Sequence, residues 1–239
     1  MDQHKRPSAD EVEGYVNREL ILDLSDLDCL LTAMIMESPT ALLPTYPQTE
    51  LESVQFSFGS NNSQMIPNAV LRCMRQTGLG GVRRLTNYLG FTVNSKGDQL
   101  SPFKPQSGDV VLSDMIQDFS LQSSVLKMMT CPVRKPDPGD PAETCVYDSL
   151  LHVNVHANVR LAHPGIPHAQ HPNADWTKYF LGSAFLLSAV VYLTFHKRKL
   201  KTPTEVLGWS RRLLPFELLD EYKAWISTEI PHMLEETMR

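Results

Sequence analysis

Residues 179–195 read YFLGSAFLLSAVVYLTF without a single charge, and the basic segment HKRKLK (196–201) follows them directly. As an α-helix this apolar run spans about 25 Å, which is shorter than the roughly 30 Å hydrocarbon core of a bilayer. Gly182, Ser183, Ser188 and Thr194 dilute its hydrophobicity further. Three interpretations remain open: a helix buried in a protein core, a helix that contacts a membrane surface, and a membrane span. The short length and the small polar residues favour the buried helix.

The distribution of charge around the run also argues against a span. The positive-inside rule would keep the cations after the run in the cytosol, so residues 1–178 would have to be exported. The first twenty residues, MDQHKRPSADEVEGYVNREL, are polar and lack the apolar region of a secretory signal. We therefore expect an intracellular protein without a secretory signal.

The overall composition is that of a globular protein. A chain of 239 residues with 42% hydrophobic and 21% charged residues can bury a sizeable core. Its net charge is −5, but the basic segment (196–201) contributes four of the 22 Lys and Arg residues. The remaining 18 stand against 27 Asp and Glu, so the rest of the chain carries about −9. Any contact with nucleic acid or anionic lipid must therefore be local.

The apolar spacing predicts many helices and few strands. Ser25 and Asp28 have the spacing of a capping box and predict a helix that ends before Pro39, after an amphipathic helical segment at 10–24. Alternating apolar and polar residues predict two strands, at 54–58 and at 151–161. Further helices are predicted at 67–76, 82–90 and about 112–130, from 205, and at 216–229.

This order of elements predicts an α+β fold in which a small strand content packs with amphipathic helices and the C-terminal part is helical. Proline-rich stretches suggest three units. They are residues 1–45 (an N-terminal helical segment and Pro-rich linker), 46–175 (the α+β core) and 176–239 (a C-terminal helical region with the apolar run and the basic segment).

The histidines and a glycine-rich segment are the two features that could indicate a catalytic or ligand-binding site. Five of the eight histidines lie between 152 and 171, but His152 and His156 would be about 13 Å apart on the predicted strand, too far to share a metal ion. The loop histidines His163, His168 and His171 lack a cysteine or acidic cluster beside them. The chain also lacks a nucleophile elbow, an HExxH motif and paired carboxylates in an apolar frame. We predict a non-enzyme that holds no metal and no cofactor.

The glycine-rich sequence TGLGG (77–81) has some likeness to a phosphate-binding loop. It lacks the Walker lysine and the spacing of a dinucleotide fingerprint, so a tight turn that ends one helix before the next is favoured. Arg83 and Arg84 follow it and remain candidates for contact with an anion.

Two short linear motifs suggest partners. Residues 46–51 have the form YPxxxL, and Tyr46, Pro47 and Leu51 resemble the late-domain peptide through which viral structural proteins recruit endosomal-sorting machinery. Alternatively, Tyr46 and Leu51 anchor the strand that follows. Lys197, Arg198, Lys199 and Lys201 resemble a monopartite nuclear import signal read by an import carrier, and they also suit an anionic membrane surface. A solvated helix end is the third interpretation of these cations.

Five segments between residues 43 and 91 carry a resemblance to a known family. They are LPTYP (43–47), VQFSF (54–58), NAVLRCM (68–74), GLGGVRR (78–84) and LTNYLGF (85–91). Their order resembles that of the matrix proteins of rhabdoviruses. The resemblance implies a non-enzymatic protein that self-associates, condenses the viral ribonucleoprotein and lines the inner face of the envelope. It also implies localisation to the virion and to the host nucleus, the inner face of host membranes, or both.

The leading hypothesis is therefore a viral structural protein of the matrix type, linking the nucleocapsid to the membrane during assembly and budding. The alternative is a cellular membrane-anchored adaptor with a single span at 179–195. A small enzyme with a His-rich site between 152 and 171 is a third, weaker hypothesis.

Overall fold

A computed structural model describes residues 6–37, 65–130, 145–162, 176–213 and 220–229. Of these residues, 74% lie in α-helices and one small two-stranded sheet accompanies them, which is consistent with the predicted α+β class of small strand content. The helices are α1 (Ala9–Gly14), α2 (Leu20–Glu37), α3 (Met65–Tyr88), α4 (Leu112–Met115), α5 (Phe119–Met128), α6 (Val146–Ala162), α7 (Trp176–Lys197), α8 (Thr204–Leu213) and α9 (Asp220–Glu229). Strands β1 (Phe91–Val93) and β2 (Leu100–Pro102) form an antiparallel hairpin with Phe91 opposite Pro102.

The first helical segment begins earlier than the sequence suggested. Ser8 is the N-cap of α1: its Oγ accepts the Glu11 backbone N–H at 3.3 Å, and Glu11 Oε2 accepts the Ser8 N–H at 2.7 Å. A π-helical stretch, Tyr15–Glu19, then joins α1 to α2. The capping box predicted at Ser25 is wrong because buried apolar residues recur every three or four positions through it, and helix formation continues without a break.

Helix α7 contains the apolar run and lies in the core. Every described side chain from Phe180 to Phe195 is buried, and α6, α8, α2 and α3 pack against the helix. The hydroxyls of Ser183, Ser188 and Thr194 each donate to a carbonyl one turn earlier in α7, so these polar groups are satisfied inside the core. The interpretation of the run as a buried helix is confirmed.

Among the described residues, no helix has both the length and the apolar character that crossing a membrane requires. Helix α7, which the adaptor hypothesis needed as a span, is packed against other helices of its own chain.

The strand predicted at 151–161 is wrong, because these residues belong to α6. The alternation that suggested a strand coexists with a helical spacing: Val146, Leu150, Val153 and Ala157 are all fully buried, at intervals of four, three and four residues. Leu151 lies outside this stripe and is only half-buried. Contacts with α7 and α3 selected the 3.6-residue period over the two-residue period.

The helix break predicted at TGLGG is also wrong. Helix α3 runs through it without interruption, and Gly78 and Gly81 face α2. An added Cβ on Gly78 would lie 2.7 Å from the Asp26 carbonyl oxygen and 2.9 Å from the Leu30 Cα. These glycines therefore allow two helices to approach closely, which compensates for their low helix propensity.

The remaining elements partly follow the sequence-based expectations. The stretch predicted at 112–130 is two helices, separated where Asp118 caps α5 by accepting the Ser120 and Leu121 N–H groups. The loop predicted at 91–108 contains the hairpin. The strand predicted at 54–58 lies outside the described residues, as does the Pro-rich linker beyond Glu37. The three predicted units stay a prediction, although described residues from all three ranges join one hydrophobic cluster.

Candidate functional site

The basic cluster, which we define as Lys197, Arg198, Lys199 and Lys201, lies where α7 leaves the core. All four side chains are exposed. The Lys199 N–H donates to the His196 carbonyl at 3.0 Å and the Leu200 N–H donates to the Phe195 carbonyl at 3.0 Å, which is the hydrogen-bond pattern of a Schellman motif.

This cap fixes the backbone of the basic cluster. Lys199 has a φ of 56°, the left-handed conformation that glycine usually occupies at this position. Leu200, the next residue, is half-buried and packs back against the hydrophobic core. The cations are therefore held in a compact turn that is joined directly to the central helix.

The turn between α4 and α5 lies beside the basic cluster. The Arg198 Nη1 donates to the Met115 carbonyl at 3.4 Å. The pKa of Asp118 lies below its usual value, mainly because its carboxylate accepts the Leu121 N–H, with a smaller contribution from the positive charge of Lys197. Both observations place the end of α7 next to the start of α5.

A second charged group joins α2 to α3, with one carboxylate buried and the arginine half-exposed. The Arg84 Nε donates to Asp23 Oδ1 at 2.5 Å, and its Nη2 donates to Asp26 Oδ2. Asp23 is only 3% exposed. Burial raises the pKa of Asp23 to about 6, although its hydrogen bond to Arg84 acts in the opposite direction. Arg84 therefore serves to neutralise carboxylates at a helix–helix contact.

A similar group joins α2 to α8. The Arg212 Nη1 donates to Asp28 Oδ2 at 2.6 Å and its Nη2 donates to Thr32 Oγ1 at 3.0 Å. The other carboxylate oxygen of Asp28 is buried and has no hydrogen-bond partner among the described residues. Burial raises the pKa of Asp28 to about 6, with Arg212 opposing the shift. Both charged groups thus hold helices together, and each contains a carboxyl group whose pKa is raised.

These raised pKa values predict that the folded protein becomes more stable as the pH falls from about 7 to about 5. Asp23 and Asp28 have folded pKa values of about 6 against an ordinary 3.8, so the folded state binds more protons than the unfolded state between these values. The free energy of unfolding therefore decreases as the pH rises through this window, by roughly 1 kcal/mol or more for each carboxyl. Urea unfolding at the two pH values measures the change.

The isosteric variant Asp28→Asn is the control for this prediction. It removes one of the two titrating groups, so its stability should depend less on pH than that of the unmodified protein. An equal pH dependence in both proteins would show that Asp28 does not titrate in this range.

The two arginines that were predicted to contact an anion lie in different environments. Arg83 is exposed, whereas Arg84 already binds two carboxylates of its own chain. Tyr46, Pro47 and Leu51 of the late-domain-like motif lie outside the described residues, as do His163, His168 and His171. The proposed roles of these motif residues stay predictions.

The spacing argument about His152 and His156 is wrong, since α6 places them one helical turn apart on the same face. Across the part of the chain that the structure describes, no three metal-ligating side chains come together.

Sequence reasoning missed the two acidic groups on α2 and the glycine contact between α2 and α3. Asp23 and Asp26 are three residues apart and Gly78 and Gly81 have the same spacing, so each pair lies on one helical face. Continuing the helical pattern through both pairs would have indicated a close contact between helices.

Comparisons with protein families, with curated proteins and with solved structures find no match to this chain.

Proposed function

We propose that this protein is a non-enzymatic structural protein of the matrix type that binds an anionic membrane surface through the basic cluster. The observation that carries the proposal is the exposure of four cations in one capped turn, at the end of a helix buried in the core. The remainder of the chain is acidic, so an anionic surface attracts this turn and repels much of the rest. The protein would therefore approach such a surface in one orientation.

The geometry also favours lipid headgroups over a nuclear import carrier. A groove that binds an extended peptide requires the backbone of the peptide to be free for contact. The N–H groups of Lys199 and Leu200 are already used in the cap, and Lys197 belongs to α7. Binding to an import carrier would require this turn to unwind, whereas contact with headgroups uses the cations in their capped conformation.

The other elements of the matrix-type role rest on the sequence resemblance. They are self-association, binding of the viral ribonucleoprotein, and recruitment of endosomal-sorting machinery through Tyr46, Pro47 and Leu51. Nuclear import remains the second candidate role for the basic cluster.

Replacing Lys197, Lys199 and Lys201 with Gln is expected to weaken binding to anionic vesicles by about 100-fold, since each cation near the headgroups contributes about 1 kcal/mol. Arg198 is left in place because it contacts the Met115 carbonyl. Flotation with phosphatidylcholine vesicles, with and without phosphatidylserine, measures the binding at low and at high salt.

The matched control replaces Arg72, Lys96 and Lys104 with Gln, which removes the same charge from three exposed residues elsewhere. This variant should bind nearly as well as the unmodified protein. Equal losses in both triple variants, or no flotation of the unmodified protein at low salt, would refute the proposal. A basic-cluster variant that leaves the nucleus in cells but still binds vesicles would favour the import role.

A further inference from the structure

Helix α5 exposes two large apolar side chains on one face. Phe119 is 86% exposed and Leu126 is 48% exposed. They are seven residues apart, so they lie on the same side of the helix and about 10 Å apart along its axis. Leu121, Val125 and Met128 form the opposite, buried face. Phenylalanine is seldom this exposed, and together Phe119 and Leu126 make this face of α5 an apolar surface in contact with solvent.

This apolar face begins beside the basic cluster. Arg198 contacts the carbonyl of Met115, only four residues before Phe119. The Gln122 Nε2 donates to the Ile116 carbonyl at 2.9 Å, which holds the first turn of α5 against the same connection. The start of α5, which carries the exposed aromatic ring, is therefore close to the cations.

Two acidic residues also lie in this region. Asp118 accepts the Ser120 and Leu121 N–H groups at the start of α5. Asp114 Oδ2 accepts the Val111 N–H at 3.2 Å. Both carboxylates are engaged in local capping, and the four cations outnumber them. The turn that carries the four cations thus lies near two carboxylates that cap α4 and α5.

We propose that Phe119 and Leu126 insert into the boundary between headgroups and acyl chains of an anionic bilayer while the basic cluster binds the headgroups. The proposal rests on the proposed function and deepens it by naming the part of the protein that enters the lipid. An apolar helix face flanked by cations is the combination that interfacial helices use, and the positive charge selects an anionic bilayer as the occupant. The apolar insertion adds to the electrostatic contact, because four exposed cations alone bind reversibly and lose affinity in salt.

The variant Phe119→Ser tests the insertion. The side chain is almost fully exposed, so the fold should be unaffected, and a thermal melt followed by circular dichroism checks this. Partitioning onto phosphatidylcholine vesicles that contain phosphatidylserine should fall about 10-fold or more, because the buried apolar area of the ring is lost. The dependence on salt should stay that of the unmodified protein, since the cations are untouched.

Two leucine variants provide the matched comparison. Leu126→Ser should weaken partitioning by a smaller factor, whereas Leu22→Ser, which changes a side chain of similar exposure (50%) on α2, should leave it unchanged. Equal losses in both leucine variants would overturn the assignment of the inserting face.

A second measurement follows the position of residue 119 directly. The variant Phe119→Trp should have additional fluorescence relative to the unmodified protein. Lipids that are brominated on their acyl chains should quench this additional fluorescence. Added fluorescence that is not quenched on bound vesicles would overturn the insertion.

The outcomes separate this inference from the proposed function. If Phe119→Ser binds normally while the lysine-to-glutamine triple variant does not, the insertion is wrong and the electrostatic contact stands. If the unmodified protein fails to bind anionic vesicles at all, both fall.

Discussion

Replacing Gly78 with Ala is expected to lower the free energy of unfolding by about 2 to 3 kcal/mol. The new Cβ would lie 2.7 Å from the Asp26 carbonyl oxygen, 2.9 Å from the Leu30 Cα and still closer to the Leu30 Cβ. Most of these atoms belong to the α2 backbone and cannot rotate away, so α2 and α3 must separate. The helix-propensity gain of alanine, about 1 kcal/mol, is smaller than this cost. Chemical denaturation measures the difference.

The same substitution at Gly14 is the control. Within the part of the chain that the structure describes, a Cβ on Gly14 would meet no atom within 4 Å, and the residue lies at the junction of α1 and the π-helical stretch. Gly14→Ala should therefore raise the free energy of unfolding by about 0.5 to 1 kcal/mol. Effects of the same sign at both positions would contradict the close approach of α2 and α3 at Gly78.

The variant Arg84→Met is expected to lower the free energy of unfolding by about 2 to 3 kcal/mol at neutral pH. Removing one partner of a buried ion pair costs about 3 to 5 kcal/mol, and the value is reduced here because the Arg84 side chain is half-exposed. The variant leaves the carboxylate of Asp23 buried without a cation. The loss should shrink at about pH 5, where Asp23 takes up a proton.

Two further variants make the Arg84 prediction specific. Arg83→Met removes the same charge from an exposed neighbour and should change stability by less than about 0.5 kcal/mol. Combining Arg84→Met with Asp23→Asn should recover part of the loss, because the most deeply buried carboxylate is then no longer left charged and unpaired. Equal effects of Arg83→Met and Arg84→Met would show that Arg84 contributes only to net charge.

Gly78 and Arg84 have roles in helix packing that the sequence did not predict. Gly78 was predicted to be part of a turn because glycine interrupts isolated helices. In the structure its missing side chain allows α2 to pack closely against α3. Arg84 was a candidate for binding an external anion, and its partners are 58 and 61 residues away in the chain. Local sequence cannot identify partners at that separation.

The error at 151–161 has a different cause. Valines and alanines at alternate positions fit a strand, and the same segment also carries a helical stripe through Val146, Leu150, Val153 and Ala157. Both periods were present in the sequence. Packing against α7 and α3 decided between them, because only the helix buries that stripe while keeping its backbone hydrogen bonds.

The sequence by itself determined that residues 179–195 are an uncharged apolar run followed by a dense group of cations, and it favoured a buried helix for the run. Length and the lack of charge are local properties, and they limited this segment to a few environments. Only the tertiary structure decided that the cations stand in a capped turn beside an exposed phenylalanine, and that the acids of α2 face arginines of α3 and α8. The physical reason is that exposure and charge pairing depend on which helices meet, and those contacts join residues far apart in the chain.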